Sequence, residues 1–263
     1  ARLSGATFGF LGDSAGFVST YFTRTSRHEG LNAQSMLASP RKAYVLVGVE
    51  PELDCANGVA ALNAIRQAAS VIYLGSFVGN AHDYADVMLP ISPFTETSGT
   101  FVNIEGRPQS FQAVAKPIEN TRPAWKVLRV LGNLLGLDGF DYESSEQVRD
   151  EVLPDDISSV LDNGITGFVP QPSPLTAGAQ RIADVPIYAT DPIVRRASSL
   201  QKTRDALPPR LRVSPHTLAD LGIEEGGSVR VTSADGEALL RVQADKAIPE
   251  GCYGVSAGLP ITA

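Results

Sequence analysis

Between Tyr44 and Leu89 the chain alternates three apolar strand-like runs with one helical stretch, and few folds accept that order. Tyr44-Val45-Leu46-Val47-Gly48-Val49 is apolar throughout, the pattern of a strand covered on both faces. Glu50-Pro51-Glu52-Leu53-Asp54 follows as an acidic turn, and GVAALNAIRQAA (58–69) carries apolar residues at helical spacing. Val71 to Leu74 forms a second strand. Val87-Met88-Leu89, stopped by Pro90, forms a third, read as buried. Strand, helix, strand, loop, strand specifies a parallel α/β sheet. His82 and Asp83, just before the third strand, read as a helix end near the sheet.

Upstream, Thr7 to Leu11 reads as a further strand entering Gly12-Asp13-Ser14-Ala15-Gly16. Turns of this kind can cradle phosphate when a helix follows. The spacing G-x-x-G-x-x-x-G is not the dinucleotide fingerprint, and no acidic residue sits clearly at the end of a second strand. Ser14 also lacks the G-x-S-x-G elbow of a hydrolase, and none of His28, His82 and His216 has a reason to act as its base. No catalytic residue is assigned.

The stretch after the third strand carries the densest polar pattern. Pro93 to Thr100 is a loop rich in turn formers, in which Gly99 can adopt a positive φ without steric cost. Phe101 and Val102 begin a new apolar patch. Asn103, Glu105, Arg107 and Gln109 then alternate with Ile104, Gly106 and Pro108, so in extended backbone the four polar side chains share one face. Two readings are open on physical grounds. Loops leaving the carboxyl ends of strands in open α/β sheets receive ligands. Alternatively, Glu105 and Arg107 satisfy each other within a structural network.

The string ADVMLP followed by E-x-x-GT-x-x-N-x-EGR-x-QSF resembles the large iron–sulfur subunit of NADH:quinone oxidoreductase, respiratory complex I, within the molybdopterin-oxidoreductase superfamily. The pattern falls on Glu96, Gly99, Thr100, Asn103, Glu105, Gly106, Arg107 and Gln109. Formate dehydrogenases and nitrate reductases commonly carry a second arginine where this chain has Gly106, which favours the complex I member. The resemblance implies a carboxyl-terminal scaffold of a subunit that passes electrons from NADH through iron–sulfur clusters to quinone, inactive as an isolated piece. It implies peripheral-arm subunits as partners and a cytoplasmic position on the inner face of a bacterial membrane. The alternative is the pterin-binding half of a molybdenum oxidoreductase such as a formate dehydrogenase.

The cysteines bear on a metal site within these residues, and the resemblance implies where the parent's cofactors lie. Cys55 and Cys252 are far apart without a C-x-x-C partner, so no iron–sulfur or zinc site is expected within these residues. The clusters are expected in an amino-terminal part of the parent subunit. No cofactor is expected in this piece, and no molybdenum in the parent. A formal charge of −7 without a basic cluster argues against nucleic-acid binding. No apolar run approaches the roughly 18 residues of a membrane span, so no direct membrane insertion is expected.

The second half changes character. Thr121-Arg122-Pro123 starts a helix with threonine as its cap, Trp125, Leu128, Val130, Leu131, Leu134 and Leu135 give it the broad apolar face of a core helix, and Gly136 and Gly139 end it. Ser144 or Ser145 caps a short polar helix. From Asp155 to Ala206, Pro170, Pro172, Pro174, Pro186 and Pro192 indicate an irregular connection. Beyond Pro209 the pattern is β: Leu211 to Val213, a capped turn of helix at Ser214 to Gly222, and a hairpin of Val229 to Thr232 with Ala238 to Val242 across Asp235-Gly236. This region resembles the superfamily's carboxyl-terminal barrel. The expected fold is therefore α/β, a parallel-sheet region (1–140), a proline-rich connection (141–206) and a small double-psi-like β-barrel (207–263).

Overall fold

The computed structural model describes residues 5, 16, 18–20, 22, 30–161, 178–233 and 236–262. The expected strand at 7–11, most of the glycine turn at 12–16 and the proline-dense 162–177 lie outside them. The chain groups into two compact units, each made of two stretches: residues 1–32 with 90–172, and 33–89 with 173–263.

The parallel sheet forms as the apolar periodicity predicts. Helix α1 (Ala33–Ala38) leads to β1 (Ala43–Val47), the single-turn α2 (Pro51–Asp54), α3 (Gly58–Arg66), β2 (Ser70–Gly75) and β3 (Val87–Pro90), in the order β1-β2-β3. β1 and β2 run parallel, with Tyr44 opposite Val71 and Leu46 opposite Tyr73. Asn57 begins α3 by accepting from Ala60 N at 2.8 Å. Tyr44, Leu46, Ile65, Val71, Tyr73 and Ala81 form the core beneath it, each large side chain contributing roughly 1.5–3 kcal/mol by burial. One expectation is corrected. Only alternate residues of β1 are buried, while Val45, Val47, Val87 and Met88 stay exposed. β1 is thus buried on one face only, and no residue of β3 is fully buried.

In the other unit, β4 (Gly99–Val102) and β5 (Pro108–Phe111) make a two-stranded antiparallel hairpin. Helices α4 (Ala124–Leu134) and α5 (Ser145–Val152) follow. The α4 cap is Pro123 rather than Thr121, whose hydroxyl instead donates to Ile118 O at 2.8 Å. Gly136, at φ +66°, ends the helix as expected. Ser144 caps α5.

The remaining stretch adds β6 (Gln180–Ile182), α6 (Pro192–Arg196), β7 (Arg210–Val213), α7 (Pro215–Asp220), β8 (Ser228–Thr232), β9 (Glu237–Ala244) and β10 (Cys252–Gly254). These strands make a mixed sheet in the order β6-β10-β7-β9-β8. β7 pairs parallel with β9, and β9 pairs antiparallel with β8 across the expected hairpin. Leu211, Val213, Leu240, Val242 and Val255 are its core. Among the described residues β6 and β8 are free edges, so the expected closed barrel is an open sheet. Residues 178–206, read from sequence as a connection, contribute β6 and α6 to this unit. No helix among the described residues is long and apolar enough to cross a membrane.

Candidate functional site

The eight motif residues gather in and around the β4–β5 hairpin. Glu96 is buried, and its Oε2 accepts from Ile118 N at 3.1 Å, fastening the segment that follows β5. Gly99 lies opposite Phe111, and a Cβ there would stand 2.9 Å from the Phe111 ring. Glycine is needed there for room, not for the positive φ expected of it. The Phe111 ring stacks on Phe101 with centroids 5.1 Å apart. Thr100 and Ser110 face each other and share a 2.9 Å hydrogen bond between hydroxyls.

Asn103 to Arg107 is the hairpin turn. The Asn103 side chain accepts from Glu105 N at 3.1 Å and Arg107 N at 2.9 Å, and Gly106 N donates to Asn103 O at 2.9 Å. Gly106 has φ +76°, and a Cβ on it would lie 2.0 Å from Leu161 Cδ1. The shared polar face expected of an extended 103–109 is therefore absent, because the backbone reverses inside it. Glu105 and Arg107 approach only to 3.9 Å, with side chains 70% and 72% exposed. Such a pair contributes about 0–1 kcal/mol, and the buried carboxylate of the motif is Glu96. Gln109 pairs with Phe101 across the strands and is exposed. Helix α5 braces the hairpin: Ser145 Oγ donates to Ser98 Oγ at 2.8 Å, and Arg149 Nη1 to Ser110 Oγ at 3.2 Å.

The other unit holds a charged cluster that sequence reading missed. Glu50, 2% exposed, leaves the carboxyl end of β1 and begins α2, where its N–H donates to Asp54 Oδ2 at 2.6 Å. Its Oε2 accepts from Arg195 Nη1 at 2.8 Å and Arg196 Nη1 at 3.1 Å, and its Oε1 accepts from Arg196 Nη2. Arg195 Nη2 donates to Asp54 Oδ1, while its Nε donates to Ala189 O at 2.9 Å. Arg196 lies 4.7 Å over the Phe77 ring. Asp191 caps α6, accepting from Ile193 N at 2.7 Å and Val194 N at 3.0 Å, which aims the two arginines.

Gly79, in the loop after β2, has φ +52°, and a Cβ there would stand 2.5 Å from Glu50 Oε1. Burial pushes the Glu50 carboxyl up, but the hydrogen bonds and charges of Arg196 and Arg195 outweigh it and hold the group below its ordinary value. Burial and the Asp54 and Glu52 charges push the half-buried Cys55 thiol up, away from the reactive thiolate. The readable signals were the acids of EPELD and the D-P-x-x-R-R string; their 145-residue separation hid the pairing.

Comparison with known proteins gives matches over two regions. Residues 5–134 match the molybdopterin oxidoreductase model, and residues 188–260 match the molydopterin dinucleotide binding domain. Over 69 residues the chain is 41% identical to proteins named as putative formate dehydrogenases in Staphylococcus aureus strains USA300 and COL; that stretch is 26% of this chain and 7% of theirs. The fold is similar to that of acetylene hydratase from Pelobacter acetylenicus, with a TM-score of 0.56 at 18% identity, over 92% of this chain and 39% of that one.

The dinucleotide-binding match overturns the expectation of no cofactor and points to molybdopterin. Its phosphates need donors not already spent. The Glu50 corner does not meet that need, because its two guanidiniums hold two carboxylates. Lys202, Arg204, Arg210, Arg241 and Lys246 are exposed, lie within the matched region and have no ion-pair partner among the described residues, and Arg210 and Arg241 are register neighbours on β7 and β9. Two matches in chain order, over residues 5–134 and 188–260, show that these two regions are similar to the molybdopterin oxidoreductase and molydopterin dinucleotide binding domain families.

Proposed function

We propose that this chain forms the dinucleotide-binding side of a formate dehydrogenase-like oxidoreductase. The observation that carries the reading is the succession of the two family models along one chain, supported by the formate dehydrogenase relatives. When bound, the molybdopterin group supplies the two-electron redox centre, and formate yields carbon dioxide, one proton and two electrons. The chain's own residues bind and position. The unpaired basic side chains of the matched region, among them the register neighbours Arg210 and Arg241, supply phosphate donors, and the Glu50–Arg195–Arg196 cluster fixes α6 to the end of the parallel sheet. The test is elemental analysis of the full parent protein purified from its host, beside formate-dependent reduction of an electron-accepting dye. Molybdenum or tungsten near one atom per chain, with formate oxidation, is expected; a preparation lacking both metals overturns the reading.

One observation favours a second reading. Gly106 is at positive φ and crowded by Leu161, so it has no room for the second arginine common in formate dehydrogenases. In that reading the chain is part of the iron–sulfur subunit of complex I, joined to peripheral-arm subunits on the inner face of the membrane. NADH-dependent quinone reduction by the parent assembly, without formate oxidation, selects it.

A further inference from the structure

Residues 112–120, between β5 and α4, are all exposed, yet the segment is anchored at both ends. At one end Gln112 Nε2 donates to Glu146 Oε1 of α5 at 2.9 Å. At the other, Arg122 O accepts from Ser92 N at 2.9 Å. Between these anchors, three amides fasten the strap to the loop that follows β3. Val114 N and Ala115 N both donate to Thr95 O, at 2.9 and 3.1 Å. Ile118 N donates to the buried Glu96 carboxylate at 3.1 Å. The apolar side chains add little packing, since Val114 is 85% and Ile118 64% exposed. Closure of the strap therefore rests mainly on these backbone bonds.

The far end of the strap is strained. Glu119, at φ +46°, is the one non-glycine residue with positive φ among the described residues. It holds the second position of a turn closed by Thr121 N on Ile118 O at 3.0 Å, and positive φ at that position ordinarily falls to glycine. Thr121 Oγ1 also donates to Ile118 O at 2.8 Å, and Arg122 Nη1 to Glu119 O at 3.4 Å, so the strain is held from the α4 side. That strain is relieved when the strap lifts and Glu119 returns to negative φ. A strained turn thus opposes a charge-assisted bond at Glu96, in a segment whose few buried contacts make opening cheap. We propose that residues 113–119 form a lid that opens as one unit, with Glu96 as its latch and Glu119 as its spring. Opening frees the Glu96 carboxylate and the Thr95 carbonyl. Both lie on the loop that follows the carboxyl end of β3, the end at which open α/β sheets admit ligands. The lid is the same whichever oxidoreductase the parent forms.

The test is hydrogen exchange on the full parent protein, resolved to single amides by mass spectrometry with electron-transfer fragmentation. Val114, Ala115 and Ile118 are expected to exchange through one opening, with protection factors equal to within about threefold. Glu119→Gly removes the strain of the closed lid and should slow all three amides by about threefold or more. Glu96→Gln weakens the latch and should speed all three by a similar factor. Glu119 is exposed, so the glycine variant keeps the test decisive even where Glu96→Gln fails to fold. Slowing confined to Ile118 would reveal a fraying turn and overturn the proposal. So would unequal protection at the three amides, or exchange unchanged by Glu119→Gly.

Discussion

Gly106 shows how one missing side chain sets a turn. Its φ of +76° suits glycine, and the space a Cβ would need is taken by Leu161. Gly106→Ala should therefore destabilise the chain by about 1–3 kcal/mol, measured as a lower midpoint in urea. Glu50 is the larger stake. Glu50→Gln leaves Arg195 and Arg196 without their shared carboxylate and should cost about 3–5 kcal/mol. The pH dependence has a definite sign. A carboxyl held below its ordinary value in the folded state contributes stability that is full above the unfolded pKa, about 4.3. That contribution is lost as pH falls through the lower folded value. Thermal melts of the wild type between pH 6 and pH 3 should fall more steeply than those of Glu50→Gln.

Elements here start and stop through single side chains. Ser214 Oγ accepts from Thr217 N at 3.0 Å at the head of α7, so Ser214→Ala should cost about 1 kcal/mol by chemical denaturation. That cap was readable in the sequence, as were β1, α3, β2, β3 and the β8–β9 pair, because each is set by local periodicity or adjacent turn chemistry. The β4–β5 hairpin was not. Its strands are four residues each, and its reversal depends on the Asn103 side chain reaching two amides. The Thr121 cap was misplaced because that hydroxyl found a carbonyl three residues back. Nor was the Glu50 cluster legible, since no periodicity marks which distant arginine a carboxylate will meet. The closed barrel came from resemblance, and the described strands leave two edges.

At the scale of the molecule, each unit draws on two separated stretches. The parallel sheet of 33–89 and the arginines of α6 share one unit, tied by a buried carboxylate. A chain ended after Leu161 should keep the residues of that sheet yet lose its cooperative unfolding, seen as a shallower thermal transition and faster amide exchange in β1 and β2. A truncated chain that melted as sharply as the full one would show that the sheet needs no partner from 173–263.

The ties between Glu50 and its arginines also set a schedule for synthesis. Arg195 leaves the ribosome 145 residues after Glu50, a delay on the order of ten seconds at typical elongation rates. Throughout that interval the nascent sheet carries a carboxylate whose native site is not yet complete. Glu50 must stay hydrated, and the corner it will close must stay open, until α6 arrives. Slowing translation between these positions would lengthen the exposure of the half-built unit, and chaperone dependence should rise with the delay.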